Sequence, residues 1–415
     1  MKYRLWACLL FLPMVLWASG RPKVAVVLSG GGAKGTAHIG ALKVIEEAGI
    51  PIDYVVGTSM GAIVGGLYSI GYTPQQLDSM VNAQNWKFLL SDAPNPKDVL
   101  LDDRLKSERY VLSIPFSLKS AAVSDAGIIK GKNLARLFST LTEGYQDSVD
   151  FSRLPIPFAC VSENLVNGSE VVFHEGILAT AMRSSMSIPG VFAPVDLDGM
   201  VLVDGGMVNN YPVDVALAMG ADYIIGVDVQ SPLLKASELK SVKDIFGQII
   251  NLQGEKKYRE NLRNTDVLIK VDVTGYSAAS FTKEAIDTLM VRGERTAMDS
   301  WDGLLALKRK LGLAEDYQPR RPGPFRLPGA AVDREIPVDS QIAVPAVREN
   351  KLNVGFRFDT EELAALQANI SVGSGSRWPA SPPVWASVHW HDSDIVISGT
   401  VDGRQDLPIS STIKI

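Results

Sequence analysis

The sequence predicts an α/β fold of three layers, a mainly parallel central sheet flanked by helices, with a short β-rich C-terminal tail. Two patterns carry this reading. Unbroken apolar runs, KVAVVL from Lys23 and IDYVVG from Ile52, have the character of strands buried on both faces, since a half-exposed strand would alternate. Segments of helical periodicity separate such runs, and strand-helix alternation is the mark of a parallel sheet covered on both sides.

The elements follow in order. KVAVVL is the first strand, and TAHIGALKVIEEAG is a helix with Ile39, Leu42 and Ile45 at spacing three and Gly49 as its stop. IDYVVG is the second strand. The helix AIVGGLYSIG ends at Gly71, and Thr73-Pro74-Gln75-Gln76 opens another through a capping box. KNLARLFSTL is a helix. PFACVSE and EVVFHEG are strands joined through Asn167-Gly168, a hairpin signal. ILATAMRSSMSIPG is a helix closed by Pro189. MVLVDGG and ADYIIGVDV are strands, and a helix near SVKDIFGQIINLQ, a strand DVLIKVDV and a charged helix in LMVRGERTAMDSWDGLLALKRKLG complete a domain of residues 22–315. In WKFLLSDAPNPKDVLL, Trp86, Phe88, Leu89 and Leu90 lack regular spacing and are assigned to core rather than to a lid.

Residues 1–20 carry Lys2 and Arg4, a short apolar run and Ala18-Ser19-Gly20, the features of a cleaved signal peptide. Pro13 interrupts the run, which is shorter than the roughly 20 residues a spanning helix needs. The chain is therefore expected to be exported, to the periplasm or the outer membrane. Residues 316–350, beginning DYQPRRPGPFRLPGAA, form a predicted Pro-rich linker, and residues 351–415 the β-rich tail. That tail is too short for a closed transmembrane barrel, which needs at least about eight strands.

A chain of 415 residues, 46% hydrophobic and 21% charged, is globular with a sizeable core. Loss of the signal removes two cations and takes the net charge from −5 to −7, which excludes a basic nucleic-acid surface. The cysteines are Cys8 and Cys160, so the mature chain forms no internal disulfide.

Two corners carry chemistry. Gly57-Thr58-Ser59-Met60-Gly61 stands between a strand and a helix, with small residues two positions either side of the serine, as a nucleophile elbow requires. Ser29-Gly30-Gly31-Gly32-Ala33-Lys34-Gly35 follows the first strand, and its amides can face an anion. Gly30, Gly32 and Gly35 also satisfy the dinucleotide spacing, which makes an oxidoreductase the rival reading. That reading needs an acid at the end of the second strand, whereas Asp53 precedes the strand and Ser59 ends it. If the two loops follow adjacent parallel strands, the glycine amides face the serine oxygen as an oxyanion hole. A non-catalytic assembly module is the third reading.

A serine needs a base. None of His38, His174, His389 and His391 has a suitable context; His38 follows the glycine loop as a helix-surface or packing residue. Asp204, at the end of an apolar strand and followed by Gly205 and Gly206, is a better candidate than any histidine, although on these residues alone a plain turn aspartate is the favoured reading.

Gly30-Gly31-Gly32-Ala33-Lys34-Gly35, Gly57-Thr58-Ser59-Met60-Gly61 and Asp204-Gly205-Gly206, in that order, resemble the three signatures of the patatin-like phospholipases. RSSMSIPGVFAPV resembles a further family segment, and the likeness spans about residues 23–313. The resemblance implies a Ser-Asp dyad without histidine: Ser59 as nucleophile, Asp204 as base, and Gly30, Gly31 and Gly32 as oxyanion hole. Lys34 stands where the family often has arginine or lysine; Gly35, Gly57, Gly61, Gly205 and Gly206 support the motifs. Gly206 departs from the alanine of many members. The implied substrate is a lipid or phospholipid, with contact at a membrane surface and no cofactor or metal. NVGFRFDTEELAAL resembles the start of an outer-membrane barrel found after some bacterial members, here cut short; a small β appendage is the equal alternative.

Overall fold

The computed structural model describes residues 21–93, 112–115, 129–237, 239–240, 242–320, 351–357, 365–373, 385–391, 394–400 and 411–414. The predicted signal peptide and all of the linker beyond residue 320 lie outside them. The chain divides into two compact units, Met1–Asp92 with Ile129–Ala330, and Ala93–Ile128 with Ala331–Ile415.

The first unit is built on eight strands: β1 (Val24–Leu28), β2 (Tyr54–Thr58), β3 (Phe158–Asn164), β4 (Ser169–Phe173), β5 (Val195–Leu197), β6 (Met200–Asp204), β7 (Tyr223–Asp228) and β8 (Val267–Lys270). Their order is β8-β7-β1-β2-β3-β6-β5, with β4 also on β3. The run from β8 to β3 is parallel, while β4, β5 and β6 join antiparallel.

Both faces are buried, as unbroken apolar strands require. Val24, Val26 and Leu28 of β1 enter one hydrophobic cluster, and Ala25 and Val27 enter another. Val55 and Val56 of β2 divide the same way. The larger cluster is filled from helices α1 (Ala37–Glu47), α2 (Met60–Ser69), α3 (Pro74–Asn82), α4 (Trp86–Leu89), α5 (Lys132–Leu141) and α6 (Leu178–Ser185). The smaller is covered by α7 (Val213–Ala218) and by Tyr258 and Leu262 of α8 (Val242–Arg263). Helices α9 (Lys283–Asp299) and α10 (Trp301–Lys310) complete the larger side. The result is the expected mixed α/β architecture, a central sheet between helices.

Local signals explain the boundaries. Gly49 (φ 72°) and Gly71 (φ 110°) turn the chain in the left-handed region just after α1 and α2. Thr73 and Gln76 bond reciprocally, at 3.0 and 2.9 Å, as the capping box predicts. Helix α6 stops at Ser185, short of Pro189, and the predicted charged helix is two, broken at Ser300. Leu89 is buried, and Trp86 stacks on Phe281 at 4.6 Å, consistent with core rather than a lid.

The second unit holds a six-stranded antiparallel sheet. Its order is Ser411–Lys414, Asp394–Thr400, Trp385–His391, Ala365–Gly373, Lys351–Arg357 and Leu112–Pro115. Successive tail strands pair as neighbours. Leu112–Pro115 joins Lys351–Arg357, so a segment that the sequence placed inside the α/β domain groups instead with the tail. Strand pairing across more than 230 residues leaves no local trace in the sequence.

Candidate active site

Ser59 sits between β2 and α2 with φ 55° and ψ −121°, one of two described non-glycine residues at positive φ. Its two glycines make the corner closable. A Cβ on Gly57 would lie 2.3 Å from Gly61 O, and one on Gly61 would lie 2.2 Å from Leu28 O, so α2 rests directly on β1. The strained backbone is pinned by partners from elsewhere. Ser59 N–H donates to Ser185 Oγ (2.9 Å), which itself donates to Val161 O (2.6 Å). Thr58 Oγ1 donates to Asn209 O (2.8 Å).

Sheet register brings the acid. Thr58 is level with Val161 on β3, which sets Ser59 level with Ser162, and Ser162 pairs with Asp204 on β6. Ser59 Oγ donates to Asp204 Oδ2 at 2.6 Å, with both residues buried. Asp204 Oδ1 accepts Gly206 N–H at 2.7 Å. Burial raises the Asp204 pKa to about 6, against the opposing pull of the bonds from Ser59 and Gly206. Gly205 holds the strand end in place, because a Cβ there would meet Val161 O at 2.3 Å.

The glycine loop lies against this pair: a Cβ on Gly30 would stand 3.1 Å from Ser59 Cβ and 2.2 Å from Asn210 Oδ1. One of its three expected oxyanion donors is occupied. Gly30 N–H donates to Asn210 O at 3.1 Å, whereas the amides of Gly31 and Gly32 have no acceptor among the described residues. Gly31 presses on Val229, and Gly32 (φ 57°) on Ala278 O; neither position has room for a side chain. Gly35 abuts Met60, whose own amide, first in α2, is likewise without a described acceptor. A cavity of about 240 Å³ opens between Ser59, Asp204, Gly30, Gly31, Gly32 and Ile188.

Lys34 lines the same cavity, and its Nζ donates to Ser231 Oγ (2.9 Å). Burial first, then the charge of Lys270, lowers its pKa to about 8. His38 is fully buried, so the surface alternative for it falls. Its Nε2 bonds Ser29 O at 2.8 Å, and burial pushes its pKa down to about 4. Asp53, the acid nearest the second strand, binds Arg21 and the Val24 amide at the strand's opposite end.

Several positioning residues escaped the sequence reading. Ser185 lies inside the segment whose likeness was noted, but nothing local links it to Ser59. Arg183 is buried and bonds Ser187 Oγ, Lys130 O (3.2 Å) and Ala193 O (3.1 Å). It thereby fixes the 186–193 loop, from which Ser187 O accepts the Asp204 amide (3.0 Å) and Ile188 and Pro189 line the cavity. Asn210 follows the aspartate motif by six positions and clamps the glycine loop.

A buried serine-carboxylate pair beside a glycine loop, on an α/β sheet, defines the class of site. Residues 26–217, just under half of the chain, match the patatin-like phospholipase family model. Over 211 residues it is 32% identical to an uncharacterized NTE family protein of Mycobacterium tuberculosis, covering 51% of this chain and 50% of that protein. It is 32% identical over 210 residues to human patatin-like phospholipase domain-containing protein 6, or 50% of this chain and 13% of the human protein. Lysophospholipase NTE1 of Mycosarcoma maydis is 27% identical over 306 residues, covering 68% of this chain and 15% of that one. The aligned region thus spans half or less of these relatives' own lengths.

Proposed function

We propose that this chain is a lipid acyl hydrolase acting through Ser59 and Asp204. The observation that carries the reading is the 2.6 Å hydrogen bond from Ser59 Oγ to a buried carboxylate, at the mouth of a cavity lined by unfilled glycine amides. The match to the patatin-like phospholipase model and the lysophospholipase name of the Mycosarcoma maydis relative support a lipid ester as substrate.

In this mechanism Ser59 Oγ attacks the ester carbonyl carbon as its proton passes to Asp204 Oδ2. A carboxylate can serve because burial has made it a stronger base than a solvated one, and yet it is still ionised at neutral pH. The carbonyl oxygen becomes an anion held by the amides of Gly31 and Gly32. Collapse breaks the bond to the alcohol, which leaves with the proton from Asp204. Water then attacks the acyl-serine, gives its proton to Asp204, and the acid is released as Ser59 recovers its hydrogen.

The dinucleotide reading is not retained, because Asp53 lies at the wrong end of β2 to reach a ribose. Labelling by a fluorophosphonate tests the proposal: the parent takes the label and Ser59→Ala does not, whereas equal labelling of both ends it. A parent that hydrolyses no ester favours the assembly-module reading. Export to the periplasm or outer membrane is proposed from the pattern of residues 1–20 alone. Fractionation of the expressed chain tests it, and recovery with the cytoplasmic proteins removes it.

A further inference from the structure

His38 is a buried titratable side chain that the chemistry above does not use. It is fully buried and forms no part of the cavity wall, so it does not touch substrate. Burial pushes its pKa down to about 4, which leaves the ring neutral at pH 7. Nε2 bonds Ser29 O at 2.8 Å. A carbonyl oxygen only accepts, so Nε2 carries the ring's hydrogen and Nδ1 is bare. Nδ1 is also buried without a partner. An orphaned buried nitrogen costs free energy that a phenylalanine ring of similar shape would not. What the imidazole adds over such a ring is the bond to Ser29.

That bond enters a loop with little else to hold it. Gly30, Gly31 and Gly32 have no side chains to pack, so their peptides are oriented by hydrogen bonds from outside. In a planar trans peptide the carbonyl and the following N–H point in opposite directions, and whatever holds the one aims the other. Ser29 O takes His38 Nε2–H, Gly30 O takes Ser29 Oγ (3.4 Å) and Asn210 Nδ2 (3.5 Å), and Gly31 O takes the Lys34 amide (3.2 Å). The opposed amides are that of Gly30, bound to Asn210 O, and those of Gly31 and Gly32, which have no acceptor among the described residues. The bonds on Gly30 O are long, and one of them comes from Ser29 itself. Ser29 must therefore be fixed first. Its N–H and Oγ are tied to Val227 O (3.1 Å) and the Val229 amide (2.9 Å) of the neighbouring strand and its exit. Its carbonyl is tied by His38 of α1, the helix that follows the loop, so this bond closes the loop on its own start.

We propose that His38 is a positioning residue for the oxyanion loop: its Nε2–H holds Ser29 O and thereby aims the Gly31 and Gly32 amides at the oxygen of the reacting carbonyl. The assignment rests on the reading that Ser59 attacks an ester.

Three variants test it. His38→Phe keeps a ring and removes the donor. His38→Gln puts an amide nitrogen where Nε2 stands, and His38→Asn puts one where Nδ1 stands, away from Ser29. Hydrolysis of a short-chain ester is measured per Ser59 site titrated with fluorophosphonate, which cancels any loss of folded protein. Inhibition by a trifluoromethyl ketone of the same acyl chain is measured beside it. Ser59 Oγ bonds to the ketone carbon, the carbonyl π pair moves to its oxygen, and the serine proton passes to Asp204, so this inhibitor leaves an oxyanion in the hole. His38→Phe and His38→Asn are expected to lower kcat and to weaken the ketone by about 10-fold or more each, with KM within about twofold. His38→Gln is expected to bring both back to within about threefold of the parent.

A change confined to KM, ketone binding that does not move, or a glutamine variant as impaired as the phenylalanine one overturns the assignment. If His38→Phe does not fold, His38→Gln against His38→Asn decides by the same criteria. If none folds, ring-nitrogen NMR shifts of the parent decide: a neutral Nε2–H ring at pH 7 supports the assignment, and an Nδ1–H or charged ring overturns it. A parent whose Ser59 takes no fluorophosphonate removes the hydrolase reading and this one with it. A labelled parent whose kinetics are indifferent to residue 38 leaves the hydrolase standing while this assignment falls.

Discussion

Ser59 Oγ and Asp204 Oδ2 lie 2.6 Å apart although 145 residues separate them in the chain, and both are buried. The carboxylate is placed by an antiparallel strand, β6, which runs against the strand it pairs with and ends level with the elbow. Removing the acid while keeping its shape should therefore disable the serine. Asp204→Asn is expected to lower kcat for a short-chain ester by about 10³-fold, within the range of positioned proton transfer. Steady-state kinetics check this, and a loss below about 10-fold would argue that Asp204 is not the base.

The same carboxylate sets the pH dependence. As the proposed base it works only when ionised, and burial has raised its pKa to about 6. The kcat/KM of the parent should climb with pH through a midpoint near that value and level off above it. A profile flat from pH 5 to pH 8 would sink this account.

Stability should move the other way. A carboxyl whose folded pKa exceeds its unfolded one holds its proton more tightly when folded. Its favourable contribution is full below the unfolded value of 3.8 and is lost as pH rises through about 6. At pH 8 the buried charge costs on the order of 3 kcal/mol, at 1.36 kcal/mol per pH unit. Asp204→Asn gives up the bond from Ser59 but escapes that cost, so it should be more stable than the parent by about 1–2 kcal/mol at pH 8. Thermal unfolding at pH 8 and pH 4.5 checks the sign: the advantage must shrink at the lower pH.

Ser185 holds the elbow from outside. Ser185→Ala strips the buried Ser59 amide of its acceptor and Val161 O of its donor. The expected cost is about 1–3 kcal/mol of stability. Since a misplacement of about 1 Å at the reacting atom can cost up to about 10²-fold, kcat should fall by about 10-fold or more while KM stays within about twofold. A change confined to KM would contradict a positioning role.

Two glycine substitutions separate backbone contact from helix propensity. Gly61→Ala drives a Cβ to 2.2 Å from Leu28 O and should destabilise by about 3 kcal/mol or more, or abolish folding. Gly254→Ala, in α8 with its nearest foreign atom at 3.9 Å, should be neutral or stabilising by up to about 1 kcal/mol. Urea midpoints decide, and equal effects would refute the close packing of α2 on β1.

Much of this was legible from consecutive residues. Continuous apolar strands announced a sheet covered on both faces, and Gly57 and Gly61 about Ser59 announced a corner that admits no Cβ. Asp53, lying before its strand, already weighed against a dinucleotide. Each signal is local, because steric limits on a turn and the apolarity of a strand act within a few residues. Asp204 was different: its own neighbours favoured a plain turn residue, and resemblance to a family singled it out. Its place beside Ser59 comes from register across β2, β3 and β6, while the occupation of the Gly30 amide by Asn210 and the hold of Ser185 on the elbow come from a loop and a helix end packed against the sheet. The sequence determined where a strained serine corner and a glycine loop would form, while tertiary structure decided which acid, which amides and which hydroxyl meet there. Hydrogen-bond partners between distant strands are fixed by the packing of the whole sheet, which no short stretch of chain encodes.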